Sequence, residues 1–106
     1  FCNIMIRHLV MWQLAESAEG KSKQENAQLV KDSLESLAGK IDGLVSIEVG
    51  INHPETPASN YDVVLNCTLE SVEALNAYQV HPLHVEAATY IKKVVTARVC
   101  VDYQIQ

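Results

Sequence analysis

The sequence is short of positive charge and of long hydrophobic runs. It carries 8 Lys and Arg against 13 Asp and Glu, which gives a formal net charge of −5. An acidic chain is not attracted to nucleic acid or to an anionic membrane surface, so we expect neither as a partner. No apolar run reaches the roughly 18 residues that a membrane-spanning helix requires. Internal repeats and linkers are also absent, and the 106 residues are expected to form one domain.

The cysteine pattern argues against a CxxC redox protein and against a zinc finger. The three cysteines Cys2, Cys67 and Cys100 form no CxxC pair and have no histidine at zinc-finger spacing. This pattern favours free thiols in a reducing compartment, and therefore a cytoplasmic protein without a metal. A disulfide between Cys67 and Cys100 is an alternative if their two strands are neighbours.

The first four residues are not expected to belong to the domain. They lack the basic start and the cleavage pattern of a signal peptide, and Met5 is the expected start. We predict that residues 1–4 are an upstream or non-native extension, and that residues 5–106 form the domain.

Hydrophobic periodicity predicts four strands and three helices. Alternation favours strands over residues 5–14, 44–51, 61–69 and 97–105. A capping box at Ser22 and Glu25 starts a helix that is expected to run to about Ala38. Ser71 caps a short helix to about Gln79, and another helix begins at Pro82. Residues 15–21 and 52–60 are predicted loops.

The order β-α-β-β-α-α-β predicts an α+β fold of the ferredoxin-like type. Its helices cover one face of a four-stranded antiparallel sheet, and the second face carries apolar side chains from the first and last strands. An apolar area of that size is seldom left in water. A second copy is the simplest cover, so we predict a homodimer that joins its exposed sheet faces into a dimeric α/β barrel.

The stretch Tyr78-Gln-Val-His-Pro-Leu-His84 carries the clearest chemical signal. Pro82 disfavours helical geometry at His81 and suits the first turn of a new helix. His84 then lies in that first turn, where the helix dipole favours the neutral imidazole that accepts a proton. His81 and His84 are three residues apart, but Pro82 interrupts the geometry that a metal pair needs.

Several motifs resemble the stress-responsive dimeric α/β-barrel (Dabb) family over nearly the whole chain. They are Met5-Ile-Arg-His-Leu-Val-Met-Trp12, Pro57-Ala-Ser-Asn-Tyr-Asp62, Leu69-Glu-Ser-Val-Glu-Ala-Leu75, the Tyr78–His84 motif and Val101-Asp-Tyr103. The resemblance implies ferredoxin-like subunits that dimerise through their sheets.

The resemblance also implies a function. One plant branch of the family consists of polyketide cyclases that work without a cofactor. By position, it implies that Tyr78, His84 and His8 are the catalytic residues for an aldol closure. His84 would take a proton next to a carbonyl, Tyr78 would hydrogen-bond the enolate oxygen, and His8 would hold a substrate oxygen. The expected ligand-pocket residues are Val10, Trp12, Leu65, Cys67 and His81.

Two alternatives remain open from the sequence. A non-catalytic structural or stress-protective homodimer would satisfy these polar side chains internally and leave no open volume beside them. A heme-degrading or quinol-oxidising monooxygenase rests on fold analogy alone.

Overall fold

The computed structural model describes residues 4–106. Residues 1–3, which include Cys2 and most of the predicted extension, lie outside the described part. The strands are β1 (Met5–Leu14), β2 (Ser17–Ala18), β3 (Lys21–Ser22), β4 (Leu44–Ile51), β5 (Val63–Leu69) and β6 (Val95–Ile105). The helices are α1 (Lys23–Glu35), α2 (Val72–Val80) and α3 (Pro82–Val94).

The main sheet has the strand order β4-β5-β1-β6, and each neighbouring pair is antiparallel. The helices pack on one face, as the ferredoxin-like prediction required. Strand β1 is central, and its residue His8 lies opposite Cys67 on β5 and Asp102 on β6. Because β1 separates β5 from β6, Cys67 and Cys100 are not on neighbouring strands, and both are free thiols.

The core lies between the helices and the inner face of the sheet, which is the face that the helices cover. Strand β1 alternates strictly, since its even-numbered residues from Ile6 to Leu14 are buried. Their neighbours include Val30 and Leu34 of α1, which are almost fully buried. This burial is the main favourable term in folding, and it fixes the strand register because a one-residue slip would expose the set.

The start of α1 follows the sequence signal, and its end does not. Ser22 accepts a hydrogen bond from the Glu25 N–H, and the Glu25 carboxylate accepts one from the Ser22 N–H. The predicted end at Ala38 is wrong, because the regular helix stops at Glu35. Tighter turns follow, in which the N–H groups of Leu37, Ala38 and Lys40 bond to carbonyls three residues back, and Gly39 takes a left-handed φ of 76°.

The junction between α2 and α3 is built by one histidine. Ser71 caps α2, as predicted, by accepting a hydrogen bond from the Ala74 N–H. His81 ends α2 in an extended conformation, and its Nδ1 accepts a hydrogen bond from the Leu83 N–H to cap α3. The extended backbone at His81 is what the following Pro82 imposes.

A small hairpin replaces the loop that was predicted over residues 15–21. Strands β2 and β3 pair around Glu19 and Gly20, which both have left-handed φ angles of 52° and 75°. Two left-handed residues in succession are typical of a tight hairpin turn. Asn26, fully buried on α1, donates to the Ala18 carbonyl and accepts from the Tyr90 hydroxyl, so it ties the hairpin to both α1 and α3.

The outer face of the sheet is apolar and uncovered in the single chain. Met11, Val99, Val101 and Tyr103 are 39–59% exposed. The register places Met11 beside Val99, so these side chains form one continuous outer patch on β1 and β6. Nearby, the Nε of Arg7 is buried and has no hydrogen-bond partner among residues 4–106. Within the same residues, no helix is long and apolar enough to cross a membrane.

Candidate functional site

A cavity of about 470 Å³ lies between α3 and the inner face of the sheet, near the β6 edge. This volume falls within the range of small-molecule sites. Its apolar lining consists of Val10, Trp12, Leu34, Leu65, Val85, Ala88, Ile91 and Val95. Its polar lining consists of His8, Gln79, His84, Thr89, Lys92 and Arg98. Most of the cavity wall is therefore apolar, and several polar groups are available to orient a ligand.

His8 is held by a carboxylate from the neighbouring strand. The ring is 3% exposed, and its Nδ1 lies 2.5 Å from Oδ1 of Asp102. An ionised carboxylate can only accept, so Nδ1 must carry the proton that forms this bond. In the neutral ring the other nitrogen, Nε2, is then an acceptor. Sequence patterns pointed to His8 but not to Asp102, which the strand order brings to it.

Tyr78 packs between the two cavity histidines. Its ring centre lies 4.4 Å from that of His84 and 6.1 Å from that of His8. The side chain is 0% exposed, and its hydroxyl accepts a long 3.8 Å bond from the Cys67 thiol. Burial raises the pKa of Tyr78 far above its ordinary value and raises the pKa of Cys67 to about 11. Both groups therefore stay protonated and neutral at physiological pH.

His84 has the electrostatics of a proton acceptor. Its Nδ1 lies 3.2 Å from the Gln79 carbonyl oxygen, which can only accept, so Nδ1 carries the proton and Nε2 is an acceptor. Burial lowers the pKa of His84, nearby His8, Arg98 and His81 lower it further, and the Gln79 carbonyl partly offsets them. The direction agrees with the sequence-based expectation of a neutral ring, although burial is the largest cause.

The structure brings most of the predicted site residues together. Val10, Trp12 and Leu65 line the cavity with His8 and His84. Cys67 lies at the Tyr78 hydroxyl and His81 caps α3, so neither lines this cavity. Tyr78 is likewise not part of the lining, because it is fully covered by its neighbours.

Cys100 lies beside the His8–Asp102 pair and adds a third side chain of a type that can bind a metal ion. Its Sγ lies 3.7 Å from His8 Nδ1 and 3.7 Å from Asp102 Oδ1, and the three ligand-type atoms lie within 4.8 Å of one another. Burial and the Asp102 charge raise the pKa of Cys100, whereas Arg98 opposes this shift. The thiol is therefore protonated and donates to the carboxylate. The absence of a metal stays a prediction from the sequence.

The lowered pKa of His84 makes folding stability depend on pH. The unfolded chain binds the extra proton as the pH falls through 6.5, the ordinary pKa of histidine. Stability from the neutral ring is complete above that pH and is lost below it, so we expect the melting temperature to drop between about pH 7.5 and pH 5.5. Glu25 and Glu35, with pKa values lowered from 4.5, stay ionised over this interval.

Thermal unfolding of two matched variants checks this assignment. His84→Gln should flatten the fall in melting temperature, whereas His53→Gln should keep the wild-type slope, because His53 lies in an exposed loop. An unchanged slope in His84→Gln would show that another group carries the pH dependence.

The fold and the cavity define a class: a ferredoxin-like α+β domain with an internal two-histidine pocket and an uncovered sheet face. The family model for the stress-responsive A/B barrel domain matches residues 6–105. The chain therefore belongs to the stress-responsive A/B barrel domain family, as its motifs indicated.

Similar proteins include both uncharacterised chains and an enzyme. An uncharacterised protein of Streptomyces coelicolor is 30% identical over 94% of this chain and 99% of its own length. A dimeric ferredoxin-like protein of unknown function from Bacteroides fragilis is 28% identical over 95% of this chain and 96% of its own, with a TM-score of 0.84. A hydroxynitrile lyase from Passiflora edulis shares the fold, with a TM-score of 0.76, 18% identity and coverage of 99% and 96%.

Proposed function

We propose that this chain forms a homodimer whose subunits each bind a small, mostly apolar carbonyl compound and move a proton on it without a cofactor. The observation that carries this proposal is the apolar cavity with a neutral His84 and a carboxylate-paired His8 in its wall. A site for proton abstraction next to a carbonyl needs a base of this kind within reach of a bound ligand.

The chemistry assigned to the site is an aldol closure of a chain with two carbonyl groups. Nε2 of His84 takes a proton from the carbon between or beside the carbonyls, and the C–H electron pair passes into the enolate. The enolate carbon attacks the second carbonyl carbon, and the resulting alkoxide takes the proton back from His84. The ring therefore ends as it began, and nothing is oxidised or reduced.

His8 and Tyr78 support this step in different ways. Nε2 of His8 is left to accept a hydrogen bond from a ligand hydroxyl, since Nδ1 is taken by Asp102. The family resemblance implies that Tyr78 donates to the enolate oxygen. Its ring is fully buried against Cys67 and outside the cavity lining, so we assign it the positioning of both imidazoles.

The dimer is proposed to form through the outer patch of Met11, Val99, Val101 and Tyr103. Covering this area removes apolar surface from water, which contributes roughly 25 cal/mol for each Å². Arg7 lies on the same face of β1, and its buried Nε has no hydrogen-bond partner among residues 4–106, so an acceptor from a second subunit would satisfy it. The dimeric B. fragilis protein, which resembles this chain over most of its length, supports the homodimer.

Exchange of ligand α-protons tests the proton-transfer step without knowledge of the natural substrate. In D₂O, wild-type protein should accelerate deuterium incorporation into 4-phenylbutan-2-one, as followed by proton NMR. His84→Gln should slow the catalysed rate by about 100-fold or more, because general-base catalysis is typically worth this much. The melting temperature should remain near that of wild type at neutral pH.

The control is His53→Gln, which removes an exposed histidine far along the chain and should leave exchange unchanged. Equal rates in wild type and His84→Gln would remove His84 from the mechanism. Ligand binding without any accelerated exchange would leave a binding protein and refute the catalytic step.

A non-catalytic homodimer is the second candidate, and one observation favours it. The three polar groups already have partners within the chain: His8 with Asp102, His84 with Gln79, and Tyr78 with Cys67. Each of these side chains thus has one polar atom bonded within the chain, as expected of a polar network that specifies a core. Failure of every carbonyl probe to bind the cavity would select this reading.

A further inference from the structure

We propose that the cavity is selective for amphipathic carboxylates, with Arg98 and Lys92 binding the acid group at its mouth and the apolar wall holding the body. This inference rests on the proposed function, since it names the class of ligand for the same cavity. It goes further because it assigns a charge to the ligand and two residues to that charge.

The charge of the cavity runs against the charge of the chain. The protein as a whole has a net charge of −5. Yet the charged side chains that line the cavity are Lys92 and Arg98, both cations, and no Asp or Glu contributes to the lining. Clefts lined by charges of one sign concentrate ligands of the opposite sign.

Neither cation is neutralised by the protein. Among residues 4–106, no carboxylate lies within 4.0 Å of Arg98 or Lys92, whereas Lys23 and Lys31 both form ion pairs. Asp102, on the same face of β6 as Arg98, is bound to His8 instead. Arg98 thus remains available to bind a carboxylate through its planar guanidinium.

Arg98 is also close to the chemistry. Its charge acts on His84, where it helps to lower the pKa, and on Cys100 beside the His8–Asp102 pair. A carboxylate held at Arg98 would therefore place the rest of the ligand along the cavity, next to the His84 ring. The apolar wall of Val10, Trp12 and Leu65 lies on this path.

A lysine at position 92 could be explained by the helix dipole alone, and comparison with Lys93 distinguishes this explanation from ligand binding. Cations in the last turn of a helix are favoured by the helix dipole, and both Lys92 and Lys93 lie in the last turn of α3. Only Lys92 lines the cavity. Lys93 is therefore a matched control, because it shares the dipole effect and the exposure without facing the ligand.

Trp12 provides a built-in reporter of occupancy. It is the single tryptophan of the chain, it is 6% exposed, and it lines the cavity. A ligand that enters the cavity contacts the indole and changes its fluorescence. A cavity of about 470 Å³ accommodates on the order of ten non-hydrogen atoms with room to spare. Octanoate and 1-octanol match this size and differ in the charged head.

The experiment is a Trp12 fluorescence titration of the intact protein with octanoate and with 1-octanol at low ionic strength. Wild type should bind octanoate roughly tenfold more tightly, the usual scale for one hydrogen-bonded charge pair. Arg98→Gln and Lys92→Gln should each reduce this preference, and Lys93→Gln should preserve it. Added salt should reduce the preference as well, because both cations are exposed.

The outcomes test the carboxylate assignment separately from the ligand cavity itself. Equal affinity for acid and alcohol in wild type would overturn the carboxylate assignment while leaving an apolar ligand site intact. An acid preference that survives Arg98→Gln and Lys92→Gln would overturn the residues named here. A fluorescence signal that neither compound changes would overturn the ligand cavity itself, and with it the proposed function.

Discussion

Replacement of Tyr78 by alanine is expected to lower the free energy of unfolding by about 3–5 kcal/mol, the usual cost of removing a large buried aromatic ring. Tyr78 heads the largest fully buried side chains, at 0% exposure. Its removal leaves a void beside the rings of His8 and His84. A domain of this size typically has about 5–15 kcal/mol of stability in total, so the loss is large. Chemical denaturation with urea measures it directly.

Tyr78→Phe is the matched variant, because it keeps the ring and removes only the hydroxyl. The hydroxyl's partner is the weak Cys67 donor at 3.8 Å, so we expect a loss of no more than about 1 kcal/mol. If Tyr78 acts by positioning the imidazoles, α-proton exchange should also stay near the wild-type rate. A stable Tyr78→Phe protein with abolished exchange would contradict the positioning role and assign the phenol to the reacting oxygen.

Substitution of Val101 by aspartate is expected to dissociate the proposed dimer. Val101 is 59% exposed in the single chain and lies opposite Leu9 in the middle of the outer patch. Two-fold symmetry would bury two new carboxylates in an apolar interface, and an unpaired buried charge costs several kcal/mol. We expect the dimer to weaken by at least about 100-fold. Sedimentation equilibrium at micromolar concentration distinguishes monomer from dimer.

The control is Val80→Asp, at the end of α2. Val80 is more exposed than Val101, at 74%, and lies on the helix side of the molecule. This variant should remain a dimer, and both variants should keep the folded secondary structure by circular dichroism. If Val101→Asp stays dimeric, the subunits do not meet through the outer patch.

Much of the fold could be predicted because its signals are local. Strand alternation gives the limits of β1 and β4 correctly, and the Ser22–Glu25 capping box gives the start of α1. The predicted third strand began two residues too early, at Tyr61, because Asp62 is used to hold other groups. Its backbone N–H donates to the Trp12 carbonyl, and its carboxylate accepts from the Leu14 N–H.

The predicted fourth strand began at Ala97, whereas β6 starts at Val95, directly after α3. The hairpin was missed because its turn needs two residues in the left-handed conformation. Glu19 is one of them, and Glu does not indicate such a turn in the sequence as Asn or Asp would. In both cases tertiary contacts, rather than local preference, set the boundary.

The site was predictable only in part, because half of it depends on strand order. The Tyr78–His84 motif and His8 are visible as residue types in a pattern. Asp102 and Arg98 lie on the same face of a strand, and the sequence does not distinguish a face that lines a cavity from one that faces solvent. The antiparallel pairing of β1 with β6 is what sets Asp102 against His8. The signal available was the ferredoxin-like strand order, which makes the first and last strands neighbours.

Strand β1 contributes to both of the proposed surfaces. His8, Val10 and Trp12 point into the cavity, and Leu9 and Met11, the residues between them, point to the outer side. A substitution on one side that shifts the backbone of β1 would therefore also move the residues on the other side. Such a shift is expected to change the shape of the cavity and the proposed subunit contact together, so transplanting the cavity into another protein would require the whole strand.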